Sequence, residues 1–485
     1  MLSNNAFLLK TQNPNLPAVY SKNVSLNYQQ LKEKVLETAE ILRSSKIEEN
    51  NKIALVGKND LDYICIVLAL WQLKAIPVLI NPRLVAEEID FQSDLTDCKF
   101  ILMSKDIKHE DLESDSEKIF YPFKSKKVNK LIETDEEINP DNTAVIIFTS
   151  GTEGKSKGVE LSFNSLFQSA KIGDQVIHHT KQDKWLASLP FNHVGGFSII
   201  TRSLLFGTSI ILPDNLQTEA LAKAIDKYKP TLCSFVPTQL KRLLESEVQP
   251  NEELRNVLLG GGYVDKKLVM DGIHQDWEIT KVYGSTETGS FVTALTEDEC
   301  LENPTSVGKA LSPNRIVILN ENKFHALEGE VGEIAIYSPA VMKSYYNDEE
   351  KIEDYFEDEF YLTGDMGYLD TEGYLYLEAR KKDMIISGGE NVNPNEVEDR
   401  IMEHPDISDA AVFPLKDDEW GEIVAAAIVM NDSKTNISLD KIEEFLKNNL
   451  AGFKMPRKLF YEDKLPKNEL GKIARRKLSE KYEES

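Results

Sequence analysis

The chain has little cysteine, no long apolar run and no recognisable leader. Its four cysteines, Cys65, Cys98, Cys233 and Cys300, are scattered without metal-binding or redox spacing, which predicts a reduced, cytosolic protein. The longest apolar run, residues 63–71, is far too short to cross a bilayer. The first residues form neither a basic nor an apolar region, so no signal peptide is expected.

Positive charge is also in short supply. Asp and Glu number 81 against 56 Lys and Arg, which gives a formal net charge of −25. This excess repels nucleic acid and anionic membranes, so neither is an expected partner. It does not exclude ATP, which arrives with Mg²⁺ and can meet local lysines. A length of 485 residues with 41% hydrophobic residues indicates a globular protein of more than one domain, and a homodimer is compatible with this composition.

The first half of the chain alternates helical and strand-like patterns. The predicted elements are helices through 31–42 and 63–73, strands at 53–56 and 76–79, and a second alternating block from 185 to 236. Strands that alternate with helices predict parallel α/β sheets. The polar stretch 104–118 is predicted to be a surface excursion.

The pattern changes after residue 305. Short β-like runs separated by glycine turns continue to 379 and predict an antiparallel sheet or small barrel. Strands at 385–386, 410–414 and 423–430, with helices at 394–402 and 439–450, then predict a compact α+β domain. The predicted domains are 1–379 and 383–485, with residues 380–382 between them.

A polar, glycine-rich segment runs from Thr149 to Gly158. It follows the apolar run 144–148 and precedes an amphipathic stretch that begins near Ser162, which predicts a strand, a loop and a helix. Glycines let backbone N–H groups converge, while hydroxyls and lysines add donors and charge, so such a loop can bind a polyphosphate. It is not a Walker A loop, because Thr149 stands where that pattern requires glycine. The alternative is a flexible surface turn.

Further blocks follow in a characteristic order. They are Leu189–His193, Gly260–Gly262, Tyr283–Glu287, Thr363–Asp365, Arg380 with Lys382, Ser387–Gly389 and Gly471–Lys472. With the glycine-rich loop, they resemble the signatures of acyl-adenylate-forming enzymes, which include acyl-CoA synthetases, luciferases and peptide-synthetase adenylation domains. The loop departs from the family at Glu153, where Thr is usual, and at Ser156, where Pro is usual.

The resemblance covers almost the whole chain and implies a fold of the α/β class. It implies a large N-terminal domain with parallel α/β sheets and a small β-barrel-like subdomain. A small mobile C-terminal α+β domain would rotate about the hinge at Lys382. The implied reaction activates a carboxylic acid with ATP and Mg²⁺, and then transfers the acyl group to a thiol.

The resemblance also implies a role for each motif residue. Lys157, Glu287 and Lys472 would be catalytic, with Glu287 also binding Mg²⁺ and Lys472 bridging the carboxylate and the α-phosphate. The implied nucleotide-binding residues are Thr149, Ser150, Gly151, Thr152, Gly154, Gly260, Gly261, Gly262, Tyr283, Gly284, Thr286, Asp365 and Arg380. The hydroxyls of Thr149, Ser150 and Thr152, together with Lys157, would contact the β- and γ-phosphates. Tyr283 would contact the adenine and Asp365 the ribose hydroxyls.

In the second step, the resemblance places Ser387, Gly388 and Gly389 beside the pantetheine arm of CoA. Glycines there permit close approach to a narrow tunnel. No serine-bearing carrier domain follows this segment, which favours free CoA over a carrier protein as the acceptor.

Two residues bear on the identity of the acid. His193 ends a strand-like block, and Arg202 lies in an otherwise apolar helical stretch, 197–206. A long-chain fatty acid does not need a cation there, whereas a substrate with a second carboxylate does. This stretch, with 258–262, resembles the o-succinylbenzoate–CoA ligases of menaquinone biosynthesis. The alternatives are a satisfied core or loop histidine and an Arg202 paired with an acidic neighbour.

Three other functions stay open at this point. One is an aryl or medium-chain acyl-CoA synthetase of another pathway, and a second is a stand-alone adenylation enzyme that loads a carrier protein. The third is a non-catalytic adenylate-binding protein, which would have lost charge at the motif positions. Lys472, Glu287 and Asp365 are all present, which disfavours the third.

Overall fold

A computed structural model describes most of the chain. The described residues are 3–107, 112–123, 137–150, 156–262, 264–348, 351–378, 385–387, 390–417, 420–431, 437–447, 450, 452–467 and 471–483. The chain divides into two compact units, one of Met1–Arg315 with Tyr337–Tyr361 and one of Ile316–Ile336 with Leu362–Ser485. No described helix has the length and apolarity that a membrane crossing requires.

The helices of the described residues are α1 (Tyr28–Ser44), α2 (Leu61–Gln72), α3 (Ala86–Leu95), α4 (Phe163–Ile177), α5 (Val194–Phe206), α6 (Thr218–Tyr228), α7 (Pro237–Glu245), α8 (Lys266–Ile273), α9 (Glu297–Glu302), α10 (Pro394–Met402), α11 (Leu439–Leu446) and α12 (Arg475–Glu483).

The strands are β1 (Pro17–Tyr20), β2 (Ser25–Asn27), β3 (Lys52–Val56), β4 (Ile76–Ile80), β5 (Phe100–Ser104), β6 (Glu117–Tyr121), β7 (Thr143–Ser150), β8 (Ser156–Ser162), β9 (Lys184–Leu186), β10 (Ser209–Ile211), β11 (Leu232–Phe235), β12 (Asn256–Leu259), β13 (Ile279–Tyr283), β14 (Thr293–Leu295), β15 (Lys309–Ala310), β16 (Arg315–Leu319), β17 (Gly332–Tyr337), β18 (Ser344–Tyr345), β19 (Phe356–Glu357), β20 (Phe360–Leu369), β21 (Leu375–Leu377), β22 (Ile385–Ser387), β23 (Glu390–Val392), β24 (Ile407–Asp417), β25 (Gly421–Met430) and β26 (Lys458–Tyr461).

Two sheets form the first unit. One has the strand order β18–β8–β7–β4–β3–β5–β6, and the other has the order β15–β14–β13–β12–β11–β9–β10–β1–β2. Strands β7, β4, β3, β5 and β6 are parallel, as are β13, β12, β11, β9, β10 and β1. The predicted parallel α/β architecture is therefore confirmed, with antiparallel strands confined to the edges.

The apolar strands and helices explain these layers. β3 and β4 are almost continuously apolar and buried along their length, as expected for parallel strands covered on both faces. Helix α2 is apolar nearly all round and is buried from Tyr63 to Gln72, so it packs inside the unit. It begins where the side chain of Asp60 accepts a hydrogen bond from the Tyr63 N–H at 2.7 Å.

The polar stretch 104–118 is less of an excursion than predicted. β6 begins at Glu117 and runs parallel to β5 as the edge strand of its sheet. Leu112 and Ser114 are buried beneath it. The sequence pattern missed this strand because most of its side chains are exposed at a sheet edge and show no apolar alternation.

The second unit contains two sheets. One runs β16–β17–β20–β19 with β21 also paired to β20, and the other runs β23–β22–β25–β24 with β26 beside β25. The predicted antiparallel sheet and the predicted α+β tail are confirmed. Helix α10 has the predicted bounds, while α11 ends at Leu446, four residues before the predicted end. The core of the tail is built from alternate residues of β24 and β25 with α10 and α11.

Candidate active site

The glycine-rich loop joins two antiparallel strands, which corrects the predicted strand–loop–helix. β7 and β8 pair antiparallel on either side of it, with Thr149 opposite Lys157. Helix α4 begins only after β8, where Ser162 accepts a hydrogen bond from the Ser165 N–H at 2.9 Å. Val159 and Leu161 are buried on one face of β8. This alternation is typical of a strand, and a strand rather than a helix follows the loop.

Lys157 lies in an acidic and aromatic setting at the start of β8. Its ammonium donates to the Asp348 carboxylate at 2.8 Å and to the Tyr355 hydroxyl at 2.5 Å. It also lies 5.1 Å from the ring centroid of Tyr345 and 5.0 Å from that of Tyr355, which is cation–π range. These contacts hold the ammonium at the hairpin end from which the glycine-rich loop departs.

The Gly260–Gly262 triplet and the Tyr283–Glu287 motif lie side by side. They follow β12 and β13, which are adjacent parallel strands, so both motifs lie beyond carboxyl ends of the same sheet. A Cβ on Gly260 would lie 2.7 Å from the Val282 carbonyl oxygen, so only glycine fits there. Gly261 has φ of +77°, which also favours glycine. Ligands of open α/β sheets bind at this edge.

Glu287 is half-buried in the turn after β13. Its Oε1 accepts a hydrogen bond from the Tyr345 hydroxyl at 3.0 Å, and the Tyr361 hydroxyl lies 3.2 Å from that of Tyr345. Its Oε2 accepts no hydrogen bond from the described residues. Burial, with Glu287 beside it, raises the pKa of Tyr345 far above its usual range, so this hydroxyl stays protonated and donates.

The Glu287 carboxylate is suited to bind the magnesium ion that the sequence predicts. Mg²⁺ prefers one or two carboxylates together with phosphate oxygens and water, rather than a cage of protein ligands. The described residues contain no cluster of three or more His, Cys, Asp or Glu side chains that could form such a cage. Glu287 presents one carboxylate oxygen that accepts no hydrogen bond from the part of the chain that the structure describes, which suits a shared metal–nucleotide site.

Sequence patterns did not indicate a role for the segment 342–346, yet it connects the glycine-rich hairpin to the Tyr283–Glu287 motif. The Met342 N–H donates to the Glu287 carbonyl at 2.7 Å, and the Tyr346 N–H donates to the Gly158 carbonyl at 2.7 Å. Between them, Tyr345 pairs with Val159 across β18 and β8. Lys157 and Glu287 are therefore brought together, one on the ring face of Tyr345 and one at its hydroxyl.

His193 and Arg202 stand near opposite ends of α5. His193 immediately precedes α5 rather than ending a strand, because β9 already ends at Leu186. Nine residues of α-helix correspond to two and a half turns and about 13 Å. The two positions are therefore well separated along the helix axis.

Arg202 is buried and faces aromatic rings. Only 2% of its surface is exposed, and its guanidinium carbon lies 5.6 Å from the ring centroid of Trp185 and 5.1 Å from that of Phe291. No carboxylate of the described residues forms an ion pair with it, and its Nε and Nη2 donate no hydrogen bond within the described residues. Burial lowers the pKa of Arg202 to about 10, so it is still a cation at neutral pH.

Asn59 is a second residue that sequence reasoning missed. Its side-chain amide donates to the Leu189 carbonyl at 2.7 Å and to the Ala187 carbonyl at 3.3 Å, and its Oδ1 accepts from the Phe191 N–H at 2.8 Å. One side chain thus satisfies three backbone groups of the turn that leads to His193. A lone asparagine after a strand looks like any turn residue, so no local signal could have found it.

In the second unit, Asp365 lies within β20 rather than after it. Its N–H donates to the Thr363 hydroxyl at 3.0 Å, and that hydroxyl donates to the Ile334 carbonyl at 2.7 Å. Ser387 is buried at the end of β22 and pairs with Gly421. Lys472 is exposed between the bridge partners Lys467 and Ile473.

Several predicted positions lie outside the described residues. They are Gly151, Thr152, Gly154, Arg380, Lys382, Gly388 and Gly389. The side chain of Ser150 lies outside them too. The roles given to these residues, and the domain boundary at 380–382, stay predictions.

The sequence and fold assign the protein to a class. The chain belongs to the AMP-binding enzyme family, whose main domain matches residues 9–346 and whose C-terminal domain matches residues 396–472. Within this family it is 32% identical to the 2-succinylbenzoate–CoA ligase of Bacillus cereus over 476 residues, which cover 97% of this chain and 96% of that protein. The predicted family resemblance is confirmed.

Solved structures agree. The o-succinylbenzoate CoA synthetase of Bacillus subtilis, in complex with its acyl-adenylate intermediate, superimposes with a TM-score of 0.91 at 30% identity, over 99% of this chain and 98% of that one. A structure of the same Bacillus enzyme with ATP and magnesium ion gives a TM-score of 0.90 at 30% identity, over 98% and 99% of the two chains. The predicted adenylate-forming fold is confirmed.

Proposed function

We propose that this chain is an ATP-dependent acid–thiol ligase that joins o-succinylbenzoate to CoA and releases AMP and pyrophosphate. The observation that carries the chemistry is the convergence of Lys157 and Glu287 on Tyr345 beside the Gly260–Gly262 edge. The near full-length similarity to 2-succinylbenzoate–CoA ligases supports the choice of acid. The reaction consumes ATP and CoA, so we place it in the cytoplasm.

In the first step a substrate carboxylate attacks the α-phosphorus of ATP. Both groups are negative, so catalysis depends on charge neutralisation and alignment. Lys157 would exchange Asp348 for the β- and γ-phosphates, and Glu287 would hold Mg²⁺ against the same nucleotide. A bound Mg²⁺ would neutralise charge that develops on the leaving pyrophosphate. Lys472 would bridge the attacking carboxylate and the α-phosphate.

Arg202 supports an acid with a second carboxylate. Burying a guanidinium without an anionic partner is costly, and no described carboxylate meets this one. The rings of Trp185 and Phe291 face the guanidinium, and its Nε and Nη2 donate no hydrogen bond to any residue that the structure describes. A distal carboxylate of the substrate would supply the missing acceptor, while His193, at the other end of α5, would contact a different part of the acid.

In the second step the CoA thiol attacks the acyl-adenylate. We propose that the C-terminal domain rotates about residues 380–382 between the steps, so that Lys472 is replaced by the loop 387–389.

All of the proposed site residues come from one chain, so the reaction requires no second copy. The oligomeric state does not enter the mechanism.

Product analysis tests the proposed function. With o-succinylbenzoate, ATP and Mg²⁺, we expect pyrophosphate and an enzyme-bound acyl-adenylate; addition of CoA should yield AMP and one thioester, identified by mass spectrometry. Thioester formation on a carrier protein but not on CoA would show that CoA is not the acyl acceptor. Failure to release pyrophosphate with any carboxylic acid would indicate a non-catalytic adenylate-binding protein.

Replacing Glu287 tests the metal assignment. Glu287→Gln removes the charged ligand at nearly constant shape, so the Mg²⁺ concentration that gives half-maximal adenylation should rise at least about tenfold. Asp365→Asn is the companion variant and should weaken ATP binding with little change in the Mg²⁺ midpoint. Titrations with ATP and Mg²⁺ that match the wild type for both variants would show that neither residue binds the nucleotide or the metal.

A further inference from the structure

Tyr345 occupies an unusual place between two charged groups of the proposed site. Its hydroxyl donates to Glu287 Oε1 at 3.0 Å, and the ammonium of Lys157 lies 5.1 Å from its ring centroid. Its position is fixed by the backbone, because β18 pairs with β8 and Met342 N–H bonds the Glu287 carbonyl. The ring therefore spans the distance between the glycine-rich hairpin and the Tyr283–Glu287 motif.

The hydrogen bonds at Tyr345 have a defined direction. A carboxylate can only accept, so the Tyr345 hydroxyl donates to Glu287. The Tyr361 hydroxyl, 3.2 Å away, must then donate to the Tyr345 oxygen. A chain of donors of this kind, ending on a charge, is stronger than an isolated neutral hydrogen bond. It holds Oε1 of Glu287, while Oε2 accepts no hydrogen bond from the described residues.

We propose that Tyr345 is a positioning residue for the metal–nucleotide site. It fixes one oxygen of Glu287 so that the other is presented to a divalent cation, and it keeps Lys157 at a set distance from that cation. This inference rests on the proposed function, in which Glu287 binds Mg²⁺. Ligating carboxylates are commonly oriented by such outer hydrogen bonds, and losing one costs about 10- to 100-fold in metal affinity or activity.

The test is the affinity of Mn²⁺ for the enzyme in complex with a non-hydrolysable ATP analogue, measured by electron paramagnetic resonance. Tyr345→Phe keeps the ring under Lys157 and removes only the hydroxyl, so we expect the Mn²⁺ dissociation constant to rise about tenfold. Tyr361→Phe is the matched control. It deletes a hydroxyl of the same cluster but leaves the Tyr345–Glu287 bond, so the rise should be less than about threefold.

A double-mutant cycle separates positioning from general loss of structure. If Tyr345 acts through Glu287, then Tyr345→Phe should change the dissociation constant far less in a Glu287→Gln background than in the wild type. Additive effects would overturn the inference, as would an unchanged constant for Tyr345→Phe alone while Glu287→Gln weakens binding. An unchanged constant for Glu287→Gln would instead overturn the metal role of Glu287 in the proposed function.

A separate variant covers the case in which Tyr345→Phe folds poorly. Tyr345 is only partly buried, and its ring packs on Tyr355 with centroids 4.9 Å apart, a contact that phenylalanine preserves. If Tyr345→Phe nevertheless loses its thermal transition, Glu287→Asp provides the second measurement. It keeps the charge but withdraws the carboxylate from the Tyr345 hydroxyl, and the same rise in the Mn²⁺ dissociation constant is expected; wild-type affinity would overturn the inference.

Discussion

Lys472→Ala should reduce the rate of carboxylate-dependent pyrophosphate release at least about 100-fold, because it removes a cation that neutralises charge in the transition state of adenylation. The same variant should still convert supplied acyl-adenylate and CoA into the thioester at close to the wild-type rate. The split is expected because Lys472 is proposed to leave the site before the thiol attacks. Quenched-flow measurement of each half-reaction would separate the two steps.

Lys467→Ala is the matched control for that experiment. Lys467 lies five residues earlier on the same segment, and its ammonium pairs with Asp409 within the second unit. Loss of this partly exposed pair should lower the stability only slightly. The rates of both half-reactions should stay unchanged. Equal losses of both half-reactions in Lys472→Ala, or adenylation at the wild-type rate, would contradict the role given to Lys472.

Arg202→Met should raise the KM for o-succinylbenzoate by about 10- to 150-fold, which corresponds to about 1.5–3 kcal/mol for a charge-assisted pair with one carboxylate. Methionine preserves the bulk between Trp185 and Phe291 but removes the charge. Acids that lack the second carboxylate should be spared, since they have no group to pair with Arg202. Steady-state kinetics with both kinds of acid would measure the difference.

Stability in the absence of substrate provides the control for this substitution. A buried cation without a carboxylate partner destabilises the folded chain, so Arg202→Met should not lower the midpoint of thermal unfolding. o-Succinylbenzoate with an ATP analogue should raise that midpoint for the wild type and much less for the variant. A large loss of stability without substrate would mean that Arg202 serves the fold instead.

The sequence predicted the parallel sheets and the α+β tail because each leaves a local pattern. Helix α10 could be placed to the residue, since Pro394 opens it and an apolar face follows. The strand that leads into the glycine-rich loop was predicted correctly, but the segment after the loop was wrongly predicted to lead straight into a helix. β8 covers Ser156–Ser162, and it is a strand because it pairs along its whole length with β7 and also with β18, which lies far along the chain.

The residues that sequence reasoning missed are those whose partners are distant in the chain. Tyr345 meets Glu287 58 positions away, and Asn59 meets Leu189 130 positions away. Neither stands in a pattern that indicates a ligand site, and each acquires its role only when the sheets assemble. Arg202 differs, because a lone cation in an apolar helix is visible in the sequence and the structure confirms that it is buried.

The central claim is that this site selects an aromatic acid with a second carboxylate, and the wild-type enzyme can test it directly. The measurement is kcat/KM for thioester formation with o-succinylbenzoate, benzoate, coumarate and octanoate under identical ATP, Mg²⁺ and CoA. A buried charged group left unpaired by the wrong acid discriminates strongly, so o-succinylbenzoate should exceed each of the others by at least about 100-fold. A monocarboxylate that equals or exceeds o-succinylbenzoate would contradict the account and point to a general acyl-CoA synthetase.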